Sequence, residues 1–181
     1  MPNHVLTEIR FKNIDADQQG AILALCRGPE RLIDFGTLLP IPSNIWQGSV
    51  STRHSVFPGN ALDWSRANWG TKWNAYGIDE GGRYKTIATT DDTLTLTFQT
   101  AWSTPYGWLL ALWHIGELPF EYIYIDEGAI SAKVGRFTAY SDGFGAHPWS
   151  EDIAPDDEHR RMHKLMWGVE QLEDEDAESQ P

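Results

Sequence analysis

The residues best placed to do chemistry crowd into one short stretch. Lys72 sits inside the run Asn68-Trp69-Gly70-Thr71-Lys72-Trp73-Asn74, with Trp64 just before it and Tyr76 just after. A lysine among indoles can lay its stem over an aromatic face and be held there as a cation. Only deep burial would make it a Schiff-base or general-base lysine. Trp64, Trp69, Lys72, Trp73 and Tyr76 therefore read in two ways. One is a mini-core that gives a long loop something to bury. The other is a binding surface, since Trp and Tyr are frequent anchors at interfaces.

Paired carboxylates are the second candidate. Asp126 and Glu127 precede Gly128, and Asp142 lies in the next turn region. Such pairs do acid–base work when their surroundings drive their pKa values apart, but acids beside glycine are also ordinary turn chemistry, the reading preferred here. His159 and His163 stand four apart, on one face of a helix. Arg160 occupies the place of the glutamate in the zinc-protease motif, and Arg161 follows it, so the pair reads as a solvated helix face with no metal site. His114 reads as a packed or interface residue. The lone Cys26 leaves no disulfide and no CxxC pair. No P-loop, GxGxxG or GxSxG stands in a fitting context. No catalytic residue is assigned and no cofactor is expected; an enzyme with an unrecognised site stays as an alternative.

The elements that must position these residues follow from periodicity. His4–Lys12 alternates with period two and reads as a strand. Asp15 and Gln18 form a capping box ahead of Ala21, Ile22, Leu25 and Cys26 at helical spacing, and Gly28-Pro29 ends that helix. Leu32–Pro42 is apolar and proline-punctuated, the pattern of a short edge strand leaving into a loop. Residues 43–85 form a Gly-, Asn- and Trp-rich insertion with a short helix near Ala61–Ala67. Thr86–Ala88 and Thr93–Ala101 read as a hairpin turning at Asp91-Asp92. Pro105 suits the first turn of a helix running to Gly116. Phe120–Asp126 and Ser131–Tyr140 read as strands, and a helix from Asp156 to Trp167 carries acids at its N-terminus.

The order β-α-β, insertion, β-α-β, extra strand, terminal helix describes an α+β ferredoxin-like sandwich (βαββαβ) over residues 1–150. A C-terminal helix over 151–170 and an acidic tail over 171–181, read as disordered, complete the organisation. If Leu94, Leu96, Phe98, Ile123 and Ile125 face the helices, Tyr122 and Tyr124 lie on an open sheet face, where they could stack bases.

The 181 residues are 41% hydrophobic and 22% charged, consistent with one packed domain. The net charge of −12 disfavours generic binding to nucleic acid or anionic membranes. Residues 151–181 hold eleven acids against three bases, net −8, leaving only −4 on the first 150. No secretion signal and no membrane-length apolar run is visible, which reads as a cytoplasmic protein without membrane association.

The Asn68–Asn74 block resembles a family grouped around YubB, small plasmid- and phage-encoded proteins with a ferredoxin-like domain. Three further blocks agree in type and order: Leu38-Leu39-Pro40-Ile41-Pro42, then Phe98-Gln99-Thr100-Ala101-Trp102-Ser103-Thr104-Pro105, then Tyr124-Ile125-Asp126-Glu127-Gly128. Together they span roughly residues 4–146. The resemblance implies the fold, a mobile-element origin and the host cytoplasm, but no reaction. The expectation is a non-enzymatic protein-binding factor, inhibiting a host defence or nucleic-acid-handling system. Asp126, Glu127, Asp156, Asp157 and Glu158 would face a host partner with a basic groove. A single-stranded nucleic-acid-binding module using the open sheet is the alternative, with direct nucleic-acid binding disfavoured by charge.

Overall fold

The structure is a computed structural model and describes residues 3–49, 56–79, 82–128, 131–138 and 149–169. One antiparallel sheet runs through it. Its strands are β1 (His4–Lys12), β2 (Ile87–Thr89), β3 (Thr93–Ala101), β4 (Phe120–Asp126), β5 (Lys133–Phe137) and β6 (Trp149–Ile153), in the order β2-β3-β1-β4-β5-β6. The helices are α1 (Ala16–Cys26), α2 (Ala61–Asn68), α3 (Tyr106–Gly116) and α4 (Asp156–Trp167). The chain is thus mixed α+β. Among the described residues no helix is long and apolar enough to cross a membrane.

β1 pairs with β3 on one side and β4 on the other. Residues opposite each other in a ladder share a face, so Ile9 lies beside Leu96 and Tyr122, and Phe11 beside Leu94. That face packs on α1 and α3 through Ile22, Cys26, Trp108, Leu109 and Leu112. The opposite face carries Leu6, Ile123, Ile125 and Val134, which pack on Met162 and Met166 of α4 and on Tyr84. Both faces of the central strands are covered.

This arrangement corrects the expected division of β4. Tyr122 and Tyr124 share the α1/α3 face with Phe98, while Ile123 and Ile125 point to the other side, under α4. Tyr122 is fully buried and lies over Gly135, where a Cβ would fall 2.2 Å from its ring. Both residue sets of β4 are apolar, so alternation alone could not say which face met the first two helices.

Two local signals read true. Asp15 Oδ1 accepts the Gln18 amide at 2.8 Å, and the Gln18 side chain accepts the Asp15 amide at 2.9 Å, completing the capping box of α1. Asp156, Asp157 and Glu158 fill the first turn of α4. The Leu32–Pro42 segment, by contrast, forms no strand. Asp34 caps a short 3-10 turn at Phe35–Thr37 by accepting the Gly36 amide at 2.8 Å. That turn drives Phe35 into the core against Phe98, Trp69 and Trp108.

The expected boundary at 150/151 falls inside β6, which extends the sheet beyond β5, and α4 packs on that same sheet. The last strand of the body spans Lys133–Phe137 within the expected 131–140. Asp142 and the 171–181 tail lie outside the described residues.

An ion network holds α4 in place. Arg10 bonds Glu8 at 2.6 Å and grips Glu158 with two nitrogens at 2.8 and 3.0 Å. Arg161 reaches the same two acids, Glu8 at 2.8 and 2.9 Å and Glu158 at 2.8 Å. Burial works against the Arg10 charge, but hydrogen bonds and Coulomb attraction from Glu158 and Glu8 outweigh it and raise its pKa. Hydrogen bonds from Arg10, opposed in part by burial and reinforced by Arg161, hold the Glu158 carboxyl at about 2. A buried acid such as Glu8 is tolerated because both arginines satisfy it.

Candidate functional site

The 69–76 segment is tied to the body at several points. Trp69 is buried, donates its indole N–H to the Leu39 carbonyl at 2.8 Å and meets Trp64 edge-on at 5.6 Å. Gly70 takes φ +83°, and a Cβ there would sit 2.9 Å from the Tyr106 amide nitrogen, so glycine lets this turn approach the start of α3. Thr71 Oγ1 donates to the Ala101 carbonyl at 2.8 Å. The Asn74 side chain accepts the Phe35 amide at 2.9 Å and donates to Asp34 at 2.7 Å. Tyr76 pairs with Gln99 of β3 through two backbone bonds of 3.0 and 2.8 Å.

These anchors leave Trp73 facing outward, with Lys72 half-buried beside it. Trp73 is 45% exposed, and the Lys72 ammonium lies 4.9 Å from its ring centroid. The same ammonium lies 4.5 Å from the ring of Trp102, which is 48% exposed and also carries the Arg66 guanidinium at 4.6 Å. The result is a surface ladder Arg66–Trp102–Lys72–Trp73. Trp102 follows β3 at φ +76°, a left-handed conformation rare for a bulky residue. Its amide bonds the Asn3 carbonyl at 2.9 Å, fixing the backbone that carries the ring. Such strain is found where a side chain is held in place for use.

The five aromatic-block residues thus divide. Trp64 and Trp69 join the main core and form no separate mini-core of the insertion, whereas the exposed Trp73 and the half-buried Lys72 line a cleft together with Tyr76. Tyr76 donates to the Thr100 carbonyl at 2.9 Å and bonds His4 Nδ1 at 2.7 Å. His4 joins two separate predictions, since its backbone amide donates to Glu127 Oε2 at 3.0 Å. Asp126 accepts the Gly128 amide at 2.8 Å, an ordinary turn.

The acids expected to face a partner do not act together. Asp156 and Asp157 are exposed, but Glu158 turns inward to Arg10 and Arg161, which corrects its assignment. His159 Nδ1 accepts the Ala132 amide at 2.9 Å, and His163 stacks on Trp167 at 4.3 Å. His114 is exposed beside Trp113. Burial pushes the Cys26 thiol up to about 12, leaving it unreactive.

Tyr122 and Tyr124 belong to a different cluster. With Tyr106 at the start of α3 they surround the Glu151 carboxylate of β6. Tyr106 also bonds Tyr124 at 3.2 Å, and Lys133 reaches Glu151 at 3.4 Å. Burial first, then Glu151 and Tyr124, push the Tyr106 pKa upward, so it stays a neutral donor. The cluster fastens β6 to the body.

Sequence reasoning missed Trp102, Arg66, Arg31, Tyr106 and Glu151 as site or cluster residues. A signal existed for Trp102, a large aromatic just past a strand and just before Ser-Thr-Pro. The chain matches no family model, no curated protein and no solved structure.

Proposed function

We propose that the chain is a non-enzymatic protein-binding factor whose contact surface is the Arg66–Trp102–Lys72–Trp73 ladder. One observation carries the reading. Two indoles stand about half exposed around a lysine that makes no ion pair among the described residues, and one of them is held out by strained backbone. Full burial of a large apolar side chain is worth about 1.5–3 kcal/mol, roughly half of which a half-exposed indole forgoes until a partner covers it. Trp and Arg are also the residue types that dominate binding energy at interfaces.

The strand order β2-β3-β1-β4, with α1 and α3 on one face, supports reading the body as a ferredoxin-like βαββαβ unit. The YubB-like resemblance of the Asn68–Asn74 block supports a mobile-element origin, the host cytoplasm as location and a host protein as partner. Inhibition of a host defence or nucleic-acid-handling system is the role this origin favours. The version that relies on an acidic surface is weaker, because Glu158 is turned inward. The nucleic-acid alternative has lost its tyrosine platform to the α1/α3 face.

The test is affinity capture from host extract with the intact chain and with the double variant Trp73→Ala/Trp102→Ala, after matching their thermal unfolding. A protein retained by the first and lost by the second is expected, with retention largely surviving high salt. The same proteins on both baits would overturn the surface assignment. Loss of all of them on raising salt would return the contact to charge.

A further inference from the structure

Beside the ladder a cleft of about 760 Å3 opens between α2, residues 41–49 and residues 72–76. Its charged lining is wholly cationic. Arg31 and Lys72 contribute, and no Asp or Glu lines it among the described residues, on a chain with 26 acids against 14 bases. Neither cation makes an ion pair with a described carboxylate. Among the described residues Arg31 reaches only the Ala75 carbonyl, at 3.4 Å, and Lys72 lies against indole rings. Ile41, Leu62 and Trp69 supply an apolar lining, and the exposed Trp73 ring a flat aromatic surface.

Each part of this lining selects against a simpler occupant. An inorganic anion would meet the cations but leave the exposed part of the Trp73 ring uncovered. A neutral aromatic would cover the rings but leave the cations without a counter-charge. The volume lies in the range of sites for small molecules. A ring stacked on tryptophan is worth about 1–3 kcal/mol, and a phosphate between two cations gains charge-assisted hydrogen bonds. Phosphate on a ring occurs free or at the end of a nucleic-acid strand. The chain's net charge of −12 separates these sources, because a polyanion is repelled by the whole molecule while a small dianion senses mainly the nearby cations.

We infer that this cleft is a binding site for a small planar aromatic anion of the nucleoside monophosphate kind, its ring on Trp73 and its phosphate at Arg31 and Lys72. The site lies beyond the protein-binding reading and needs no protein partner, although the two share Lys72 and Trp73.

Calorimetry and saturation-transfer NMR on the full chain test it with adenosine monophosphate, adenosine, inorganic phosphate and a short single-stranded oligonucleotide. The monophosphate should saturate with a Kd below about 1 mM. Adenosine and phosphate alone should bind about tenfold more weakly or worse. Arg31→Ala should weaken the monophosphate about fivefold or more, and Trp73→Ala should remove ring saturation transfer, both at unchanged unfolding temperature. No saturation by the monophosphate, or equal affinity for adenosine, overturns the proposal. So does an affinity indifferent to both variants. An oligonucleotide binding more tightly than the monophosphate would overturn the restriction to a small anion. Because the assay contains no protein partner, its failure would leave the protein-binding reading standing.

Discussion

Glu158→Gln isolates the charge that clamps α4 to the sheet while keeping the side chain's shape. In the folded protein Arg10 and Arg161 hold this carboxyl at about 2 against an ordinary value of 4.5. At about 1.4 kcal/mol per pH unit that difference corresponds to about 3 kcal/mol. The Glu158 side chain is 24% exposed, and solvent screening reduces the figure to about 1.5–2 kcal/mol. The folded-state pKa is depressed, so the contribution is complete above about pH 4.5 and is lost as pH falls through about 2. Urea unfolding of wild type and variant at neutral pH, then at steps toward pH 2, reads the effect directly. The variant should be less stable by that amount at pH 7, a fall of about 3–8 °C in Tm for a chain of this size, and the gap should close on acidification. A difference under about 0.5 kcal/mol at pH 7, or a gap that persists unchanged at pH 2, would refute the reasoning.

Trp102→Gly should leave thermal stability unchanged or slightly raised, because it relieves the φ of +76°, while abolishing partner capture; a large loss of stability would show that the ring is structural. Gly135→Ala should destabilise by about 1–3 kcal/mol by chemical denaturation, since the added Cβ falls 2.2 Å from the Tyr122 ring. A chain ending at Pro155 lacks α4, uncovers Leu6, Ile123, Ile125 and Val134 and should aggregate in light scattering.

What was legible in the sequence was local. The Asp15/Gln18 capping box, the proline before α3 and the acids opening α4 each act within a turn or two, and each element appears where those residues put it. Three features were out of reach because distant partners decide them. Phe35 reads as part of a strand until Asp34, held by Asn74 forty residues away, turns it into the core. β6 has almost no apolar alternation; its pairing with β5 and the tyrosines around Glu151 hold it. In β4 both alternating sets are apolar, and only the register Ile9↔Tyr122 shows which one meets α1 and α3. The candidate site was half visible: the aromatic block named Lys72 and Trp73, but Trp102 and Arg31 reach the same region from 30 and 41 residues away in sequence.

The distribution of charge then bears on how any ligand meets this molecule. Glu8, Glu121 and Glu158 are engaged with Arg10, Lys12, Arg136 and Arg161 on the α4 face of the sheet, so those cations are largely neutralised where they stand. Arg31, Arg66 and Lys72 have no such partners among the described residues and lie on or beside the cleft. A molecule that is acidic overall therefore presents a locally basic aromatic face. At physiological salt the screening length is about 8 Å, so an anion already in the cleft interacts mainly with these cations. An approaching polyanion, extending well past that length, meets the acids as well. For the binding surfaces proposed above, this distribution favours small anions and short acidic or aromatic projections over extended nucleic acid, through many charges acting together.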